Sequence, residues 1–124
     1  HLYRAYARAG AEMIAAPAAF TRVTGEAHWH VLMRARAIET QCWVAAAGTC
    51  GAHANEQGAA RMTFGHSMIV DPWGNILDRL PRGSGVVIAT INHAYQDSLR
   101  KSLPALMHRT LTCAGTQEVQ VFQA

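Results

Sequence analysis

Residues 28–40 carry an apolar stripe at helical spacing, with a short apolar run on either side. Trp29, Leu32, Met33, Arg36, Ala37 and Thr40 fall on one side of a helix, and Ala35 and Ile38 widen that side. Before it, Met13, Ile14, Ala15 and Ala16 form a continuous apolar run. After it, Cys42–Gly48 forms another. Runs this short, next to helix stops, read as buried strands rather than helices. The first covers Ala11–Ala19, with Pro17 near its end. A strand–helix–strand order of this kind places a sheet under a covering helix.

The rest of the chain fits that frame. Leu2–Ala9 reads as a helix stopped by Gly10. Phe20–Ala27, with Thr21-Arg-Val-Thr-Gly-Glu26, reads as a loop. So does the polar, Gly-containing stretch Thr49–Phe64. Gly65–Val70 is a strand, Asp71-Pro72-Trp73-Gly74 a type I turn, and Asn75–Leu80 the return strand of a hairpin. Pro81–Gly85 is a second turn and Val86–Ile91 a further strand. Asn92 caps a helix that runs to about Ser102 and ends before Pro104. The expected fold class is therefore mixed α/β, with helices on one face of a mixed sheet. The other face is then apolar and needs a further half-domain or another chain to cover it.

Composition excludes several classes. With 124 residues, half of them apolar, the chain is one modest domain or a piece of a larger one. It is neither disordered nor collagen-like. Its longest uncharged stretch, Thr40–Asn55, is interrupted by Gln41, Thr49, His53 and glycines and is too polar to span a bilayer. Eleven basic residues face 8 acidic ones, ten of the basic residues are scattered arginines, and Lys101 is the one lysine. A nucleic-acid surface shows clustered basic residues instead, so none is expected. Cys42, Cys50 and Cys113 make an odd number without a close pair, and no leader pattern opens the chain. The expected setting is reducing and cytoplasmic. The chain opens with His1 in mid-helix, which suggests missing upstream sequence.

Three constellations bear on chemistry. Cys50 stands where a strand run passes into a loop, but no neighbouring base or cation marks it as a nucleophile, and a small buried hydrophobe is the simpler reading. His28 and His30 stand two apart, so on a helix they do not share a face, and no zinc-type spacing accompanies them or His53 and His66. No metal or cofactor is expected. Arg36 and Glu39 are three apart on a helix and pair, either at the surface or in a seam between elements. No Gly-rich nucleotide-binding motif occurs.

Several segments together resemble the nitrilase superfamily of carbon–nitrogen hydrolases. They are His1-Leu-Tyr-Arg-Ala5 and Arg8-Ala-Gly-Ala-Glu-Met-Ile14; Pro17-Ala-Ala-Phe-Thr21; Thr24-Gly-Glu-Ala-His-Trp29; Leu32-Met-Arg-Ala-Arg-Ala-Ile-Glu-Thr-Gln41; Gly65-His-Ser-Met-Ile-Val-Asp-Pro-Trp-Gly74; and Arg100 and Pro104. The resemblance runs from residue 1 to about 109, is weak over 52–63, and leaves 110–124 as an unmatched tail. It is strongest to the deaminated glutathione amidase branch, with the ω-amidases second. His1 and His30 stand where many members have Glu.

The resemblance implies the C-terminal half of an α-β-β-α sandwich and a homodimer packed through outer helices. It implies a small-molecule amide as substrate, hydrolysed through a Cys thioester with a Glu base and an oxyanion-stabilising Lys. The family's Cys is expected seven residues before His1, in Cys-Tyr-Asp-x-Arg-Phe-Pro, with Glu and Lys earlier still. Cys42, Cys50, Cys113 and Lys101 match none of these, so the chain alone is expected to be inactive and to need the N-terminal half of the domain. Ala19, Phe20 and Thr21 match positions that line the family's substrate pocket. Trp29, Arg36 and Glu39 are expected in architecture or dimer contacts. The alternatives are a non-catalytic interaction module that keeps only this half, or a metal-binding module.

Overall fold

The computed structural model describes residues 1–54, 58, 60–108, 110 and 111. Its elements are α1 (Leu2–Arg8), β1 (Met13–Ala15), α2 (Arg22–Thr40), β2 (Trp43–Ala46), β3 (Cys50–Ala54), β4 (Ala60–Phe64), β5 (Ser67–Val70), β6 (Ile76–Leu80) and α3 (His93–Ser102). One sheet runs β1-β2-β5-β6. β1 is parallel to β2, and the other pairs are antiparallel. β3 and β4 form a separate antiparallel hairpin. The mixed α/β class expected from the sequence is the one observed.

The α2 stripe is the centre of the core. Trp29, Met33 and Ala37 are buried against Val44, Ala46, Met68 and Val70 from one face of the sheet. Ile38, expected to widen the stripe, is instead exposed. On the opposite face of the sheet, Met13 and Ala15 are exposed. Arg36 stacks over the Tyr3 ring at 5.3 Å, and Glu39 takes both Arg36 and Arg4, the latter at 3.0 Å. This half-buried seam joins α1 to α2, which gives Arg36 and Glu39 an architectural role.

Three expected elements are corrected. Phe20–Ala27 is not a loop, because α2 starts at Arg22. Gly25 suggested a turn, but it is buried inside the helix. A Cβ there would meet the Phe64 side chain, with Cδ1 at 2.7 Å. Glycine at this place answers a close approach of helix to strand, not a bend. Thr49–Phe64 is not one long loop but carries the β3–β4 hairpin. Val86–Ile91 forms no strand within the described residues, although its Val and Ile content favours one. Its Ile88 N–H donates to Asp78 Oδ2 at 2.9 Å, and Val86 and Ile88 are exposed.

Elsewhere the local chemistry is as expected. Asp71, buried, accepts from the backbone N–H of Trp73 and Asn75 at 2.9 and 2.8 Å and from the Asn75 amide at 3.0 Å. Gly74 closes this turn at φ +92°, and its carbonyl accepts from Arg34 Nε at 2.7 Å. Asn92 caps α3 by accepting from the Tyr95 N–H at 2.9 Å. From α3, buried Gln96 donates to the carbonyls of Glu12 and Gln41 at 2.9 and 2.8 Å. Arg100 donates to those of Gln41 and Ala11 at 3.2 and 3.1 Å. This polar seam ties α3 to the ends of α2 and β1.

Candidate functional site

The segment Ala19–Thr21 leaves the sheet at the end of the β1 line. Beyond β1 the chain stays extended beside the continuation of β2: the Ala18 N–H donates to the Ala47 carbonyl at 2.9 Å, and the Thr49 N–H donates to the Ala18 carbonyl at 3.0 Å. Gly48 lies here because a Cβ would run into the Gly65 carbonyl. The next three residues are fixed by β4. The Ala19 carbonyl accepts from Arg61 Nη2 at 2.8 Å, the Phe20 carbonyl accepts from the Phe64 N–H at 3.0 Å, and Thr21 bridges Thr63.

Each of the three side chains then has its own setting. Phe20 is half-buried, its ring tilted on Trp29 at 5.3 Å. Thr21 is the N-cap residue of α2. Its hydroxyl donates to the Thr24 hydroxyl at 2.9 Å, and its carbonyl accepts from the Gly25 N–H at 2.7 Å. Ala19 is exposed. The structure thus brings Ala19, Phe20 and Thr21 together in one extended turn at the edge of the core.

Sequence reasoning missed the residues that hold this turn. Arg61 and Thr63 project from one face of β4, with Gly51 and His53 opposite them on β3. His53 Nε2 and the Thr63 hydroxyl are 2.8 Å apart, and that hydroxyl donates to the Gly51 carbonyl at 3.3 Å. The signal was present as alternation in Arg61-Met62-Thr63-Phe64, four residues of period two inside a stretch otherwise too polar and glycine-rich to suggest a strand.

Beside the turn lies an aromatic and imidazole stack. Trp29 Nε1 donates to the His66 carbonyl at 2.8 Å, and His66 sits in the left-handed region at φ +56°. The His66 ring stacks on Phe64 at 4.1 Å, and His30 meets both edge-on at 5.7 and 4.9 Å. Arg79 Nη1 is 3.4 Å from His30 Nε2. Burial first, then the Arg79 guanidinium, lowers the pKa of His30. Burial, His30, Arg79 and Arg82 lower that of His66, partly offset by Glu26. Both shifts favour the neutral ring. His28, on the same helix, turns away and bonds the Thr24 carbonyl at 2.9 Å. Among the described residues no three His, Cys, Asp or Glu side chains group as a metal site.

The cysteines separate. Cys42 is buried, 3.1 Å from the Ala11 carbonyl and 3.4 Å from Arg100 Nη2. Cys50 is half-buried at the start of β3, and neither is in a disulfide. Cys113, with residues 112–124 of the tail, lies outside the described residues. Lys101 is exposed on α3. No helix among the described residues is long and apolar enough to cross a membrane.

Comparison with known proteins gives this arrangement its context. The chain is 51% identical over 105 residues to deaminated glutathione amidase of Bos taurus, covering 85% of the chain and 31% of that protein. It is 46% identical over 107 residues to the enzyme of the same name from Yersinia enterocolitica, covering 86% and 36%. In structure it is similar to the C. elegans NitFhit protein, with TM-score 0.80 and 43% identity over 88% of the chain and 26% of NitFhit. It is also similar to Saccharomyces cerevisiae Nit3 of the nitrilase superfamily, with TM-score 0.76 and 33% identity over 89% and 39%. The chain thus spans about a third of the length of the curated relatives it matches. The carbon-nitrogen hydrolase profile matches residues 1–101, and the chain belongs to that family.

Proposed function

We propose that the protein carrying this chain is an amidase that hydrolyses an amide bond of deaminated glutathione or of a similar α-keto acid amide through a cysteine thioester, with cysteinylglycine leaving from the former and ammonia from a primary amide. The observation that carries the reading is the 45–51% identity to deaminated glutathione amidases from animals and bacteria, spread over more than four fifths of the chain. The Cys, Glu and Lys of the reaction belong to sequence preceding His1, and the present chain supplies one wall of the pocket. In this reading the Phe20 ring, braced by Trp29, packs on the acyl chain. Arg61 and Phe64 hold the Ala19–Phe20 backbone rigid against the amide. A rigid wall matters because acyl transfer needs the carbonyl held close to its nucleophile and to the groups that stabilise the oxyanion.

Two further features belong to the proposal. The exposed Met13 and Ala15 face takes the N-terminal half of the domain as its cover. Val23, Val31 and Ile38, exposed on the outer side of α2, supply the homodimer contact. The setting is cytoplasmic.

Cysteinylglycine release from deaminated glutathione is the test, measured on the longer protein and on the 124-residue chain alone. Turnover by the longer protein and none by the chain is expected. Turnover by the chain alone overturns the placement of the catalytic residues, and a longer protein inert on deaminated glutathione and on α-keto acid ω-amides overturns the amidase reading.

A further inference from the structure

A cleft of about 360 Å³ opens where α2 begins, lined among others by Arg22, Cys50, Thr63, Arg82 and Ser84. It adjoins the substrate wall, since Arg22 directly follows Thr21 and Thr63 is the residue that Thr21 bridges. Two arginines therefore line one opening. Every carboxylate in the ion pairs of the described residues is Glu12 or Glu39, and neither pairs with Arg22 or Arg82.

Neither arginine is explained by stability. Arg22 is the first residue of α2, whose first turn holds no acidic side chain, and a cation there opposes the helix dipole. Arg82 is exposed in the turn after β6, and its charge works against protonation of His66. Two like charges at one concave surface repel until an anion lies between them. Guanidiniums suit a carboxylate in particular, because their paired N–H groups match its two oxygens. Ser84 and Thr63 are the neutral polar residues of the same lining.

We infer that this cleft is a carboxylate subsite, in which Arg22 and Arg82 hold the carboxylate end of the substrate while its amide lies against Ala19–Phe20. The inference rests on the amidase reading and deepens it. It makes the protein selective for amides whose other end is anionic, through binding rather than through the chemical step.

The experiment uses the longer protein and two substrates of one skeleton, deaminated glutathione and its methyl esters. Arg22→Gln and Arg82→Gln each raise KM for the free acid by roughly tenfold, as expected for losing a hydrogen bond to a charged group. They leave kcat, and all constants on the esters, near wild type, and Arg→Lys recovers part of the loss. Unchanged KM for the free acid in both variants overturns the subsite and leaves the amidase reading standing. So does an equal loss on acid and ester, which marks a structural role. Wild-type protein inert on both substrates overturns the amidase reading itself. In that case titration with succinate decides the cleft: binding weakened by both variants sustains an anion site, and no binding ends it.

Discussion

Gly25→Ala sets two physical effects against each other with opposite signs. Gly25 is interior to α2, where alanine is favoured over glycine by about 1 kcal/mol on helix propensity alone. The close packing predicts the reverse. The Phe64 side chain occupies the space of the missing Cβ, with Cδ1 at 2.7 Å, and carbon atoms need ~3.5–4.0 Å. Helix and strand must therefore part by about 1 Å. Phe64 cannot easily yield. Its backbone N–H is bonded to Phe20, and its ring is stacked on His66 and met edge-on by His30. Overpacking of this kind costs about 1–3 kcal/mol, which cancels the propensity gain and leaves a net loss of up to about 2 kcal/mol. Urea unfolding of the longer protein reads it as a lower midpoint at unchanged slope. Adding Phe64→Ala, which removes Cγ and Cδ1 from that space, should recover part of the loss in a double-mutant cycle. A Gly25→Ala protein more stable than the wild type, by the propensity gain alone, refutes the close approach and with it the packing that places Ala19–Thr21.

Two other outcomes follow from the same contacts. Asp71→Ala strips three hydrogen bonds from a buried turn and should cost about 2–4 kcal/mol, read by the same urea titration; Asp71→Asn, which keeps part of the acceptor set, should cost less. Because the His30 and His66 pKa values are lowered in the folded state, the unfolded chain binds more protons as pH falls. Stability is fully present above pH ~6.5 and is lost below it, toward the folded values. Unfolding midpoints from pH 7.5 to 5 should show that slope, and a His30→Gln, His66→Gln double variant should flatten it.

The sequence was legible where one local rule decided the outcome. The inner face of α2 follows from period alone, the Asp71 turn from Pro72 and Gly74, and the start of α3 from Asn92. It failed where a distant partner decided. Gly25 looks like a turn until Phe64 is seen to fill its side-chain space. β3 carries Gly51, two alanines and His53, a poor strand sequence made a strand by its pairing with β4. Val86–Ile91 has the opposite fault, since a strand-like sequence has no ladder to join among the described residues. The candidate site divides the same way. Phe20 and Thr21 were marked by family resemblance, whereas Arg61 and Thr63, which hold them, came to light only with the β4 register.

The most direct test of the account is the coding sequence immediately upstream of His1. The account predicts an in-frame Cys-Tyr-Asp-x-Arg-Phe-Pro ending at the residue before His1, preceded by a Lys and, earlier, a Glu. An upstream reading frame without that cysteine, or a start codon just before His1, contradicts it and leaves a folded half of a hydrolase that has no hydrolytic chemistry of its own.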